Sequence, residues 1–234
     1  MFHQKNIWQT LFFIDAILNL YAEAIQNIPL IYITKPLLMI FLGLHFYFNK
    51  ATDIKYGRLI LVGLFFSFLG DTFLMFRETG AREQQFFLLG LGSFLITQGL
   101  YFLAFWKYAK GKGYIRKHPW IALIFLAFLI GNALFLLPDL PTAFKIPVLV
   151  YSTVITLMVL SMTNLYGEIS TSIFTYLIIG VLLFMCSDTL IGLNQFKKEA
   201  IQIPYPRLAI MTTYILAQFL IVKGSITLLK NVRK

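Results

Sequence analysis

Apolar residues in this chain come in blocks of about twenty, and that feature leaves few folds open. A helix of about 20 residues rises roughly 30 Å, the thickness of the hydrocarbon core of a bilayer. In hydrocarbon a backbone must satisfy its own hydrogen bonds, and a long apolar run does so as a helix. The alternation of about ten residues that marks a membrane β-barrel is absent. Only 13% of the 234 residues are charged, against roughly 25% in a soluble domain. Mean hydropathy is +0.77. The expected fold is therefore all-α: a polytopic integral membrane protein forming one transmembrane domain over 1–234.

Eight candidate spans lie near 9–26, 36–49, 58–76, 85–106, 120–137, 146–163, 172–194 and 207–229. Asn, Pro, Gly and charged residues mark the breaks, as at Asn27-Ile28-Pro29, Arg77 to Arg82, Lys107 to Pro119 and Lys197 to Pro206. The second block is short, which leaves either little tilt or a start at Thr34. The first carries Asp15, Asn19 and Glu23 every four residues, which makes a polar stripe on one helix face. Either that stripe faces the bundle interior, or the helix lies in the membrane interface. An opposite face of Leu11, Leu18, Ala22 and Ile25 suits lipid and favours spanning.

The net charge of +10 would suggest nucleic acid in a soluble protein. Here basic loops orient the chain and sit against anionic lipid, so membrane lipids are the expected surroundings and no nucleic-acid partner is expected. Sorting loop Lys and Arg by side gives 12 on the side of both termini and 7 on the other, with Lys223 near the end of the last span. The positive-inside rule then places both termini in the cytoplasm, in the inner membrane if the cell is bacterial. Asp15 interrupts the first apolar stretch and no small-residue cleavage site follows it, so a cleaved leader is not expected. Cys186 is the one cysteine, and His3, His45 and His118 lack ligand spacing, so no disulfide, metal or cofactor is expected.

The chain also repeats itself. Gly63 precedes Asp71-Thr72 by eight residues, and Gly180 precedes Asp188-Thr189 by eight. The offset is 117, half the chain length, and at the same offset Phe102-Leu103 meets Phe219-Leu220. Pro36 and Pro147 stand near the heads of the second and sixth blocks. Two parallel four-helix repeats, approximately 1–118 and 119–234, account for the pattern.

A carboxylate inside a membrane helix costs several kcal/mol, so Asp71 and Asp188 are the candidate catalytic residues. Equivalent positions in two halves lie equally far from the axis that relates them. If both face inward they approach one another. Two carboxylates in a low-dielectric cavity do not easily both ionise, so one can hold a proton while the other carries charge, the pairing needed for acid–base hydrolysis. The alternative is that each pairs with a lysine or caps a helix break. Candidate substrate-binding groups are Ser67, one turn before Asp71, Ser187 beside Asp188, and Lys35 as a phosphate contact. Tyr151, Tyr214, Gln98 and Gln218 lie within spans, and Asn194 closes the seventh. Tyr151, Tyr214, Gln98 and Gln218 could instead bind helix to helix, Asn194 could be a cap, and Lys35 could simply snorkel to the interface. There is no nucleophile elbow, phosphate loop or zinc-protease motif. His45 falls in the half away from the aspartates, which argues against Ser-His catalysis.

Several segments together resemble the YhhN/lysoplasmalogenase family. They are Thr34-Lys35-Pro36-Leu37-Leu38, Ser67-Phe68-Leu69-Gly70-Asp71-Thr72-Phe73-Leu74-Met75 and the run from Cys186-Ser187-Asp188-Thr189 through Asn194-Gln195-Phe196. Pro147-Val148-Leu149-Val150-Tyr151 and Thr213-Tyr214-Ile215-Leu216-Ala217-Gln218 belong to the same likeness, which runs in order along nearly the whole chain. Gln98 departs from it, standing where many members are expected to carry histidine. The resemblance implies a lysophospholipid substrate: hydrolysis of the vinyl-ether bond of a lysoplasmalogen to a fatty aldehyde and glycerophosphocholine or glycerophosphoethanolamine. Two other readings compete with it: a hydrolase of another lysolipid or ether lipid, and a lipid-binding protein or small transporter.

Overall fold

The structure is a computed structural model that describes residues 2–49, 51, 54–76, 82–109, 113–197 and 202–232. Among the described residues every regular element is helical: α1 (Phe2–Ala24), α2 (Ile28–Phe48), α3 (Lys55–Phe76), α4 (Glu83–Tyr108), the short α5 (Tyr114–Lys117), α6 (Trp120–Leu136), α7 (Thr142–Thr163), α8 (Thr171–Phe196) and α9 (Pro206–Val232). Seven of them, α2–α4 and α6–α9, are long and apolar enough to cross a membrane. The chain is a polytopic α-helical membrane protein. Of the basic residues in the orientation count, Lys50, Arg77, Lys110, Lys112, Lys198, Arg233 and Lys234 lie outside the described residues.

Several boundaries differ from the expectation. The second helix is not short. It begins at Ile28, where the Asn27 side chain accepts a hydrogen bond from the Leu30 amide and Pro29 occupies the first turn. Polar Thr34 and Lys35, which shortened the apolar block, lie inside the helix. Pro36 and Pro147 are therefore interior residues of α2 and α7 rather than helix heads. Asn194 does not end α8, which continues to Phe196.

α1 does not join the seven by hydropathy, but it is built to be covered on one side. Phe12, Asp15, Ala16, Asn19, Ala22 and Glu23 are buried, at the three-and-four spacing of a helix stripe. Ile14, Ile17, Leu18, Tyr21 and Ile25 on the other side are exposed. Ala22 thus belongs to the inner face, not the lipid-facing one: it lies three residues after Asn19, on the stripe. Asn19 Nδ2 donates to Thr34 Oγ1 of α2 at 2.9 Å.

The helices close into a ring. α1 packs on α2, α2 on α3, α3 on α4, α4 on α7, α7 on α8, α8 on α9, and α9 returns to α1. α6 stands outside this ring against α7 and α8, with only 6% of its apolar window buried. It is apolar nearly all round and exposes Trp120, Leu123, Ile124, Ile130 and Leu134, as suits a helix that meets lipid.

The hairpins α3–α4 and α8–α9 are tightly packed, and glycine is the reason. A Cβ added at Gly63 would stand 2.4 Å from the Tyr101 ring of α4, and one at Gly180 would stand 3.0 Å from the Ile221 backbone nitrogen of α9. The glycine that starts each Gly-to-Asp motif lets its helix approach the next one closely. Each aspartate then follows about two turns further along its helix.

Candidate functional site

The two aspartates point into the helix bundle, and each is held by a tyrosine from another helix. Asp71 on α3 is buried, and its Oδ2 accepts a hydrogen bond from the Tyr214 hydroxyl of α9 at 2.7 Å. Asp188 on α8 accepts on Oδ2 from the Tyr151 hydroxyl of α7 and from Gln98 Nε2 of α4, both at 2.6 Å. Asp188 lies within electrostatic reach of Asp71, and Asp71 within reach of Lys35 and Glu23. A buried carboxylate needs donors of this kind.

A polar network runs from this pair deeper into the bundle. Gln218 Nε2 donates to Ser67 Oγ at 2.9 Å, and Ser67 Oγ donates to Thr97 Oγ1 at 3.2 Å. Thr97 Oγ1 donates to the Gly63 carbonyl at 3.0 Å, and the Tyr101 hydroxyl donates to Gln218 Oε1 at 2.9 Å. Phe94, Phe184 and Tyr214 meet edge to face beside it. One acceptor stays open: Gln98 Oε1 is buried and has no hydrogen-bond partner among the described residues.

One cavity reaches Asp188, and a second lies beside it across Leu74 and Ile191. The first is apolar. Phe87, Leu91, Phe94, Phe128, Leu136 and Met185 are among its walls, and Tyr151, Ser152, Asp188 and Thr189 supply its few polar groups, with Asn132 from α6. The second is polar and lies between α1, α2, α8 and α9. Glu23, Lys35, Asn194 and Arg207 line it, with Ile210 and Met211. Leu74 and Ile191 line both cavities, and these two residues are themselves 117 positions apart.

The arrangement brings together most of the residues singled out in the sequence. Tyr151, Gln98 and Asp188 form one cluster, and Tyr214 and Asp71 the other. Ser67 and Gln218 form the network behind them, and Lys35 and Asn194 the polar cavity. Ser187 is the exception. Its hydroxyl donates to the Ile210 carbonyl at 3.1 Å, which commits it to the contact between α8 and α9. Gln98 is not idle at its position, since it donates to Asp188.

The sequence reading missed the pair formed by Glu23 and Arg207. Arg207 Nε donates to Glu23 Oε2 at 3.0 Å, and the glutamate side chain is only 3% exposed. Arg207 had counted only as a loop charge. A signal was present: it stands in the first turn of α9, where the helix dipole disfavours a cation, so a compensating anion was to be expected.

Chemically, the site offers two carboxyl groups in a water-poor interior, an apolar cavity against one of them and a cationic cavity alongside. The chain is 32% identical over 170 residues to lysoplasmalogenase TMEM86A of Bos taurus and, to the same extent, to lysoplasmalogenase TMEM86A of Homo sapiens. Each alignment covers 71% of this chain and 65% of the relative, so the chain spans somewhat less than two thirds of those curated relatives. No solved structure matches it. The YhhN family model covers residues 30–225, from the early part of α2 to the later part of α9, including both aspartates and both tyrosines that hold them, and the chain therefore belongs to the YhhN family.

Proposed function

We propose that this protein is a membrane hydrolase that cleaves the vinyl-ether bond of lysoplasmalogens, with Asp71 and Asp188 as its acid–base pair. The observation that carries the reading is the setting of Asp188. It is a tyrosine-held carboxyl group that opens onto an apolar cavity, with a second carboxyl group in electrostatic reach. The name shared by the two relatives supports it.

The reaction asks for those groups. A protonated carboxyl gives its proton to the β-carbon of the vinyl ether, and the α-carbon becomes an oxocarbenium ion beside the ether oxygen. Water attacks the α-carbon and yields its proton to the other carboxylate. The hemiacetal then collapses: its hydroxyl proton passes to the carboxylate that protonated the β-carbon, the α-carbon–oxygen bond to glycerol breaks, the glycerol oxygen takes the proton held by the other carboxyl, and the aldehyde is released with both groups restored. Glycosidases meet the same demand, an acid and a base flanking an oxocarbenium-like transition state. The alkenyl chain fits the apolar cavity and brings its double bond to Asp188. The phosphate headgroup fits the polar cavity, with Lys35 as a counter-charge. Tyr151, Gln98 and Tyr214 hold the carboxyl groups, while Ser67, Gln218 and Asn194 complete the polar surroundings.

Orientation belongs to the same proposal. α1, with its polar stripe turned inward, serves as an eighth span. Both termini then lie in the cytoplasm and the aspartates in the opposite half of the membrane. The two repeats, approximately 1–118 and 119–234, supply one aspartate each.

Product analysis tests the activity. Purified protein is offered lysolipids with vinyl-ether, alkyl-ether or ester links at the same position. Fatty aldehyde released from the vinyl ether alone is the expected result. Free fatty acid from the ester would redirect the reading to another lysolipid, and movement of intact lipid with no product would make the protein a transporter.

A further inference from the structure

α6 is apolar along its length but for one side chain. Between Trp120 and Leu136 the only side-chain amide, hydroxyl or charge is the amide of Asn132, and a polar group on a helix that meets lipid is costly unless something answers it. Asn132 is half-buried and turned toward the bundle. Phe128, Asn132 and Leu136 stand one turn apart on one face of α6, and all three line the apolar cavity with Asp188. Among the described residues no hydrogen bond holds the Asn132 amide. We propose that Asn132 is a further substrate-contacting residue, whose amide binds the free hydroxyl on the glycerol carbon beside the one that carries the ether. This rests on the reading of the protein as a lysolipid hydrolase and adds the residue that holds the glycerol at the reacting group.

Register puts Asn132 across the cavity from the carboxyl group. Short connections join α6 to α7 and α7 to α8, so the chain reverses twice and α6 runs in the same direction as α8. Leu136 reaches Gly192, where an added Cβ would stand 3.8 Å from Leu136 Cδ1. One turn back along each helix lie Asn132 and Asp188, at the same level of the same cavity. Other polar groups there are already engaged. Tyr151 donates to Asp188, and the Thr189 hydroxyl donates to the Met185 carbonyl at 2.8 Å. Ser152 brings one hydroxyl, which a helix can take up on the carbonyl one turn before. An amide has two donors and an acceptor to satisfy. The substrate's hydroxyl suits it, because a hydroxyl also both gives and takes a hydrogen bond. The ether oxygen does not. Its lone pair is shared with the double bond and is drawn further away as the oxocarbenium ion forms, so a donor held there would oppose the reaction.

Purified protein in detergent is tested for binding of two saturated alkyl-ether lysolipids with the same chain and headgroup. One carries the hydroxyl and the other has hydrogen in its place. Neither has a vinyl bond to cleave. Wild type should bind the hydroxyl lipid about fivefold more tightly, the effect of one hydrogen bond. Asn132→Leu suits an apolar helix and removes the amide. It should weaken the hydroxyl lipid about fivefold and leave the deoxy lipid within about twofold, so that the preference disappears. A purely structural role for Asn132 would shift both lipids together and leave the preference in place. A wild type indifferent to the hydroxyl, or a preference that survives in Asn132→Leu, overturns the contact. If leucine crowds the cavity and weakens both lipids, Asn132→Ala decides by the same ratio: a lost preference supports the contact and a retained one overturns it. Because binding is read without turnover, the contact and the hydrolase reading fail separately. A hydroxyl preference that depends on Asn132, without aldehyde release from a vinyl-ether lipid, retains the contact and removes the reaction. Aldehyde release with no such preference does the reverse.

Discussion

Tyr101 and Gln218 occupy positions 117 residues apart, the spacing that also separates Asp71 from Asp188, and they hydrogen bond to each other at 2.9 Å. The contact joins α4 to α9 inside the buried network. Asp71 and Asp188 stand at the same offset, on α3 and α8, with their tyrosine donors arriving from the opposite half of the chain in one case and from the same half in the other.

Asp71→Asn and Asp188→Asn should each lower aldehyde release from a vinyl-ether lysolipid by about 10²–10⁴-fold, the usual contribution of a general acid or base. Asparagine keeps the shape but neither donates a carboxyl proton nor carries charge. Both variants should elute and melt like wild type in detergent, since removing a charge from a buried site does not itself unfold a chain. Turnover near wild type in either variant would remove that residue from the mechanism.

Tyr214→Phe and Tyr151→Phe should differ. Asp188 keeps a second donor, Gln98, when Tyr151 is lost, whereas the bond from Tyr214 is the one described to the Asp71 carboxylate. A hydrogen bond to a charged group contributes about 1.5–3 kcal/mol. Tyr214→Phe should therefore lower kcat by about 10–100-fold and Tyr151→Phe by less, with Tyr151→Phe plus Gln98→Leu restoring the larger loss. Steady-state kinetics on the four proteins checks the order.

Gly180→Val should push α8 away from α9, because the added carbon would meet the Ile221 nitrogen and lie 3.1 Å from the Ala217 carbonyl. Overpacking of this kind costs about 1–3 kcal/mol. Gly63→Ala should displace the Tyr101 ring and break its bond to Gln218. Gly131→Ala on α6, where an added Cβ meets nothing within 4 Å, should be neutral or slightly stabilising by helix propensity. Thermal melting of the purified variants in one detergent ranks the three.

Reporter fusions at the two chain ends should both read cytoplasmic, because a spanning α1 makes the number of crossings even. A C-terminus on the far side would overturn the orientation drawn from the 12-to-7 distribution of Lys and Arg. Ends on opposite sides would place α1 outside the membrane's hydrophobic layer.

Much of this was readable from the residue order. Apolar blocks gave the spans because lipid leaves a backbone one way to satisfy itself. The repeated Gly-to-Asp motif gave the aspartates because intramembrane charge is expensive. What escaped was pairing across the bundle. Glu23 and Arg207 are 184 positions apart, and no periodicity within either helix announces the other. Ser187 was misjudged for a related reason. Adjacency in sequence turns neighbouring helix side chains to different faces, so a serine next to Asp188 looks toward α9 while the aspartate looks toward α7 and α4. The start of α2 was hidden because Thr34 and Lys35, which break the apolar run, are turned inward rather than marking the membrane edge: Thr34 bonds Asn19 of α1, and Lys35 lines the polar cavity.

Leu74 and Ile191 border the apolar and the polar cavity alike. Under the proposed reaction, a lysolipid lying across that divide would be one molecule when it arrives and two when it leaves, each soluble in a different phase. The aldehyde would be left in the apolar cavity, near α6, which stands outside the ring with little of its surface covered. The glycerophospho-alcohol would be left in the polar cavity. Neither fragment would have to pass the other to escape. Added aldehyde should then compete with substrate through the membrane, in proportion to its concentration in the lipid, while added glycerophospho-alcohol should compete only through water. Two products of one cleavage would inhibit from two separate reservoirs.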